Sequence, residues 1–248
     1  MRAWRATGAM ATAALVACVP LAAGADAPRP SRAQGTATAP VVEQLVAFRS
    51  GRVVGGKLRA RAVTVRVGRR RCAVGAATPL ASLVRARPGR LRIRDYGSCS
   101  PRARDAGGLY VRSIGSEHGR GQNGWVYKVG HTLATAGAGD PAGPFGRGRL
   151  RAHQRVTWFF CLYRRGCQRT LALRASVIAA GRVAVRVRGY DDDARGVAVS
   201  GARVSGGGRS GTTDAAGTAQ LQLPPGRYTV RAAKPGLVRS FGERVVVP

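Results

Sequence analysis

The sequence predicts a mainly β protein: an α+β region with one short helix, followed by a small all-β sandwich. Three observations carry this expectation. Valines alternate with other residues at Val63, Val65 and Val67 and again at Val183, Val185 and Val187, the period of half-buried strands. A single helix signature interrupts the strand pattern: Thr78 at the cap, Pro79 at the first helical position, and an apolar face of Leu80, Leu83 and Val84, closed by Pro88-Gly89. Beyond Val183, turn signals recur about every ten residues with no helical period, as in a sandwich.

In chain order, Arg2 and Arg5 precede a small, apolar stretch over residues 9–23 and an Ala23-Gly24-Ala25 cleavage pattern, which predicts a signal peptide over residues 1–25. The run is too short and too weakly apolar for a retained membrane helix. A second parse, Leu15-Val16-Ala17-Cys18, makes Cys18 the lipidated N-terminus of a lipoprotein; the apolar continuation through Val19-Pro20-Leu21-Ala22 favours ordinary secretion. Residues 26–45 are rich in Pro, Ala, Ser and Thr and read as a disordered linker. The α+β region is expected over residues 46–176, with strands at 91–94, 109–114, 125–129, 156–161 and 169–173. Residues 177–181 read as a joint. The sandwich is expected over residues 182–248, with strands at 183–187, 198–204, 218–223, 228–232 and 244–247. A secreted or extracellular monomer is the expectation.

Without the signal, Cys72, Cys99, Cys161 and Cys167 remain, an even number with no Cys-x-x-Cys or histidine-bearing metal spacing. Three pairings are possible. Cys161 and Cys167 flank a hairpin loop, and Cys72 and Cys99 bracket the helix, so these two disulfides are expected. Loop closure makes the short one worth about 2.4 kcal/mol and the long one about 3.6 kcal/mol.

The middle region resembles the transcobalamin-like C-terminal domain family through Gly124-Trp125-Val126-Tyr127-Lys128-Val129-Gly130, the glycine-rich residues 136–139, and Val156-Thr157-Trp158-Phe159. That family shows Asn-Gly after the first motif and Gly-Asp before the last, where this chain has Gly130-His131 and His153-Gln154-Arg155. The resemblance implies a β-grasp-like fold over about residues 60–175 and a planar ligand of cobalamin or tetrapyrrole type on Trp125, Tyr127 and Trp158. Period-two spacing offers the alternative that these rings are core. Residues 183–248 resemble the carboxypeptidase regulatory-like, transthyretin-type sandwiches through residues 212–219, Leu221-Gln222-Leu223, Pro225-Gly226-Arg227-Tyr228 and Lys234-Pro235-Gly236. That likeness implies a domain that supports or adheres and does not catalyse.

Charge is the outlier of the composition. The chain has 42 basic residues against 11 acidic ones, a net +31, and among the basic residues only Lys57, Lys128 and Lys234 are lysines. Codon bias in a GC-rich genome enriches Arg together with Ala, Gly and Val; the alternative is a surface for anionic cell-envelope polymer. Residues 46–176 hold 27 basic and 4 acidic residues, residues 182–248 hold 11 and 5, and the densest points are Arg69-Arg70-Arg71 and Arg164-Arg165. No nucleic-acid-reading signature accompanies the arginines, so no sequence-specific nucleic acid is expected. His118, His131 and His153 lie at no metal-ligand spacing, and no hydrolase motif is present, so neither metal, cofactor nor catalysis is expected; a hydrolase needs one of them beside a carboxylate. Asp191-Asp192-Asp193 lacks the spaced ligands of a calcium loop and reads as a solvated turn, with Arg195 as its neighbour.

Overall fold

The computed structural model describes residues 38–248. The expected signal peptide, Cys18 and linker residues 26–37 lie outside the described residues. Thr38–Pro248 forms one compact unit with two main hydrophobic cores and a small third, and it is mainly β.

The first core is built by β1 (Val41–Ala47), β2 (Val53–Arg59), β3 (Val63–Val67), β4 (Arg70–Val74), α1 (Pro79–Ala86), β5 (Leu91–Asp95), a 3-10 turn (Ala103–Gly108), β6 (Leu109–Ile114), β7 (Glu117–His118), β8 (Gly124–Val129), β9 (Thr132–Leu133) and β10 (Arg155–Cys161). A five-stranded mixed sheet runs in the order β2-β1-β10-β8-β9, with β1 parallel to β10. The helix packs against β1 and β2. Its start is as expected: Thr78 accepts the Ala81 N–H, and Pro79 opens the first turn. Its end falls on Arg87 in the left-handed region at φ 49°, because the residue before Pro88 is barred from continuing the helix. Leu80 and Leu83 are fully buried against Val42, Val46, Tyr127 and Trp158 in one cluster.

Strand β1 corrects the linker boundary. Residues 41–45, expected to be disordered, form the central strand between β2 and β10. Its sequence, Val-Val-Glu-Gln-Leu-Val-Ala, lacks clean alternation because both of its faces are covered, and such strands do not read as amphipathic. Gly55 lets β2 close onto it: a Cβ there would lie 1.9 Å from the Gln44 carbonyl oxygen.

The second core joins β11 (Thr170–Ala179), β12 (Arg182–Tyr190), β13 (Gly196–Ala198), β14 (Arg203–Gly206), β15 (Arg209–Thr212), β16 (Thr218–Gln222), β17 (Gly226–Ala233) and β18 (Glu243–Val247). One sheet has β12 at its centre, paired with β11, β13 and β16; the other runs β15-β14-β17-β18. Leu171, Leu173, Val183, Val185, Val187, Val204, Val230 and Val245 share the core between them.

Two boundaries move. Strand β11, assigned by its sequence to the 46–176 region, pairs along its length with β12, because Leu171 and Leu173 supply the apolar face that Val183, Val185 and Val187 require. Residues 177–181 are therefore a hairpin tip with a register shift, not a joint. The expected strand over 198–204 is two strands, broken at Ser200-Gly201 with Gly201 at φ 67°, where the chain crosses from one sheet to the other.

Both disulfides form, Cys72–Cys99 and Cys161–Cys167. Among the described residues no helix is long and apolar enough to cross a membrane.

Candidate functional site

The three aromatic residues singled out by sequence are all core. Trp125 is 1% exposed, Tyr127 6% and Trp158 1%. Trp125 donates its indole N–H to the Glu117 carbonyl at 3.1 Å and meets Phe48 and Phe160 edge-on. Tyr127 donates its hydroxyl to the Ala136 carbonyl at 2.8 Å; burial raises its pKa, with the charge of Asp140 adding to the shift. Trp158 lies 4.9 Å from Tyr127, centroid to centroid, and its buried indole N–H has no partner. Tyr127 and Trp158 also line an apolar cavity of about 310 Å³ with Tyr96, Tyr110, Leu109 and Leu133. Trp125 does not line it. The glycine-rich segment is explained by packing, since a Cβ at Gly137 would lie 2.0 Å from the Gly107 carbonyl oxygen of the 3-10 turn.

The predicted arginine clusters fall apart from one another in the fold. Arg69, Arg70 and Arg71 sit where β3 turns into β4, all exposed. Arg70 is held by Asp95 at 3.1 Å and by the Cys99 carbonyl, and the Asp95 carboxyl pKa is lowered, first by the Ser98 N–H. Arg164 and Arg165 lie exposed in the loop closed by Cys161–Cys167, with Arg165 at φ 78°. Neither cluster lines the clefts described below.

Asp191-Asp192-Asp193 is only in part the solvated turn expected: Asp193 is exposed, whereas Asp191 and Asp192 are half-buried. The run docks on the mixed sheet, where fully buried Lys128 donates to the Tyr190 carbonyl at 3.2 Å and the Asp191 carbonyl, and ion-pairs with Asp192 at 3.3 Å. Asp192 also accepts the Cys167 N–H at 2.9 Å. Asp191 pairs with Arg169 at 3.6 Å and accepts the Arg195 N–H at 2.8 Å, so Arg195 meets the run through its backbone. Desolvation lowers the Lys128 pKa and Asp192 opposes it.

His118 is on β7, His153 precedes β10 at φ 65°, and His131 follows β8 and stacks on Tyr190 at 3.7 Å. Burial lowers the His131 pKa, and the charges of Lys128 and Arg155 lower it further. His131 and Glu243 line the same cavity of about 270 Å³, but Glu243 is engaged by Arg155 at 3.4 Å. Among the described residues no histidine hydrogen-bonds a carboxylate, and no group of three or more His, Cys, Asp or Glu residues converges.

A larger cleft, about 750 Å³, opens where β1 and β2 face β14, β17 and β18. Arg203, Arg231 and Arg244 line it from the sandwich, Lys57 from β2, and Arg239 from the segment before β18. Sequence reading missed these arginines because they are single outward positions in alternating strands. Only the pairing register makes them neighbours. Compared with models of protein families, with curated proteins and with solved structures, the chain matches none.

Proposed function

We propose that this is a secreted or cell-surface binding protein without catalytic activity whose ligand is an anionic polymer of the cell envelope. One observation carries the reading: among the described residues, only Arg70, Arg104, Lys128, Arg155 and Arg169 meet a carboxylate. The remaining cations are mostly arginines with no carboxylate partner. Such a surface attracts polyanions, with contacts that salt weakens. Two disulfides support an oxidising, extracellular setting. The test is retention on isolated envelope material under a salt gradient. Release at moderate salt is expected; retention that salt does not change would overturn the reading.

A second reading, carriage of a small planar ligand, is favoured by the apolar cavity that Tyr127 and Trp158 line. At about 310 Å³ the cavity lies at the low end of small-molecule sites, roughly 300–1,000 Å³. That volume suits one or two fused rings better than a cobalamin or tetrapyrrole macrocycle. Titration with planar aromatic acids should quench tryptophan fluorescence if this reading holds, and flat fluorescence would count against it.

A further inference from the structure

We propose that the cleft between the mixed sheet and the outer face of β14, β17 and β18 seats a linear phosphate-bearing polymer without nucleobases. This rests on the anionic-polymer reading and gives it a place and a chemistry. Arg203 lies opposite Ala233, Arg231 opposite Ser205, and Arg244 opposite Thr229. Along β17 the three arginines therefore fall at successive levels 233, 231 and 229, a diagonal row crossing three strands. Diagonal neighbours on a sheet are about 7–8 Å apart, so the row is a ladder of cations with a regular step. Lys57 lines the cleft from β2 and Arg239 from the segment before β18.

Nothing in the described protein neutralises this row. The two carboxylates at the cleft, Glu43 and Glu243, are both bound by Arg155, at 2.7 and 3.4 Å. The first 37 residues carry Arg2, Arg5, Arg29 and Arg32 against Asp26 alone, and a second copy of the chain carries +31. Neither complements the cleft, so its occupant is a separate polyanion. Like charges placed side by side on a sheet repel, and a bound anion relieves that repulsion.

The chemistry follows from the walls. Guanidinium groups bind phosphate and carboxylate through paired N–H donors. A phosphodiester splays its two free oxygens tetrahedrally and reaches cations on both walls, whereas a carboxylate presents both oxygens in one plane. Strand β2 is the edge of its sheet, and its Gly55-Gly56 step has no side chain, leaving backbone open to the ligand. The one aromatic ring at the cleft, Phe241, is covered by the Arg155 guanidinium at 5.1 Å. Stacking platforms, on which single-stranded nucleic acids depend, are not offered.

The test uses the full chain with its disulfides intact and long-chain inorganic polyphosphate as probe, beside polyglutamate and a single-stranded oligonucleotide of equal charge. Joint Arg203→Gln, Arg231→Gln and Arg244→Gln should weaken polyphosphate binding by about tenfold or more and reduce the slope of log K against log salt by about 2. Lysine at the same three positions should keep the slope while weakening binding, and it decides the matter if the glutamine variant fails to fold. Joint Arg69→Gln, Arg71→Gln, Arg164→Gln and Arg165→Gln should leave more of the affinity than the cleft variant does. Equal loss in the two glutamine variants, or no loss in the cleft variant, overturns the seat while the anionic-polymer reading stands. Polyglutamate or oligonucleotide binding as tight as polyphosphate overturns the chemistry. Absence of binding to any polyanion overturns both.

Discussion

Lys128 is fully buried, yet it is one of only three lysines in a chain that otherwise uses arginine. Its ammonium group reaches two carbonyls and Asp192 across the junction of the two main cores, and all of them lose their cation if it is removed. Lys128→Met should therefore cost about 3 kcal/mol in urea unfolding, while Lys57→Met, on the exposed edge strand, should stay within about 0.5 kcal/mol. The two central tryptophans make a sharper pair. Replacing Trp125 with Phe deletes an N–H bonded to the Glu117 carbonyl, whereas Trp158→Phe removes a buried donor that has no partner. The first should lose about 1–3 kcal/mol beyond the packing loss common to both; equal losses would mean that the Trp158 N–H has a partner in solution. His131 sets a pH dependence. Its folded pKa is depressed below the ordinary 6.5, so the unfolded chain takes up its proton first as pH falls. Stability is whole above about pH 6.5 and declines as pH drops from there towards the depressed value. The groups facing the ring are Tyr190, Lys128 and Arg155, with Glu243 in the same cavity. Tm measured from pH 7.5 down to 5 should fall less in His131→Asn than in the parent.

The elements that could be read from sequence are those whose signal is local. The helix was announced by Thr78, Pro79 and three apolar residues, and Thr78 is doubly engaged: its hydroxyl donates to the Gly75 carbonyl at 2.9 Å and accepts the Ala81 N–H at 3.3 Å. Thr78→Ala should cost about 1–2 kcal/mol and Thr78→Ser much less, measured by chemical unfolding. Strands with one solvated face, such as β6, β12 and β17, were equally legible from their alternation. Strand β1 was not, because a strand covered on both faces has no period to show, nor were the two-residue β7 and β9. The candidate site divides in the same way. Runs such as Arg69-Arg70-Arg71 announce themselves, but the ladder of Arg203, Arg231 and Arg244 exists only after β14, β17 and β18 have paired in register. The acidic run misled in part, for a related reason: its partner, Lys128, lies more than sixty residues away in sequence.

At the scale of the whole molecule, the sandwich takes its first strand from before the joint that composition marks. Val183, Val185 and Val187 on β12 are fully buried, and Leu171 and Leu173 on β11 share their core. A fragment of residues 182–248 lacks β11, so β12 would present an unpaired edge and an uncovered apolar face to water. A fragment of residues 168–248 keeps all eight strands, omits Cys167 and so carries no free thiol, and leaves Asp192 to be solvated in place of Lys128. The longer fragment should unfold in one cooperative transition with dispersed amide resonances, and the shorter one should aggregate or show neither. Cooperative folding of residues 182–248 would mean that β11 belongs energetically to the mixed sheet it follows. Failure of both fragments would mean that the sandwich depends on the junction itself, on Lys128 beneath the acidic run and on Ala47, Phe159 and Val238 packed in the small third core between the other two.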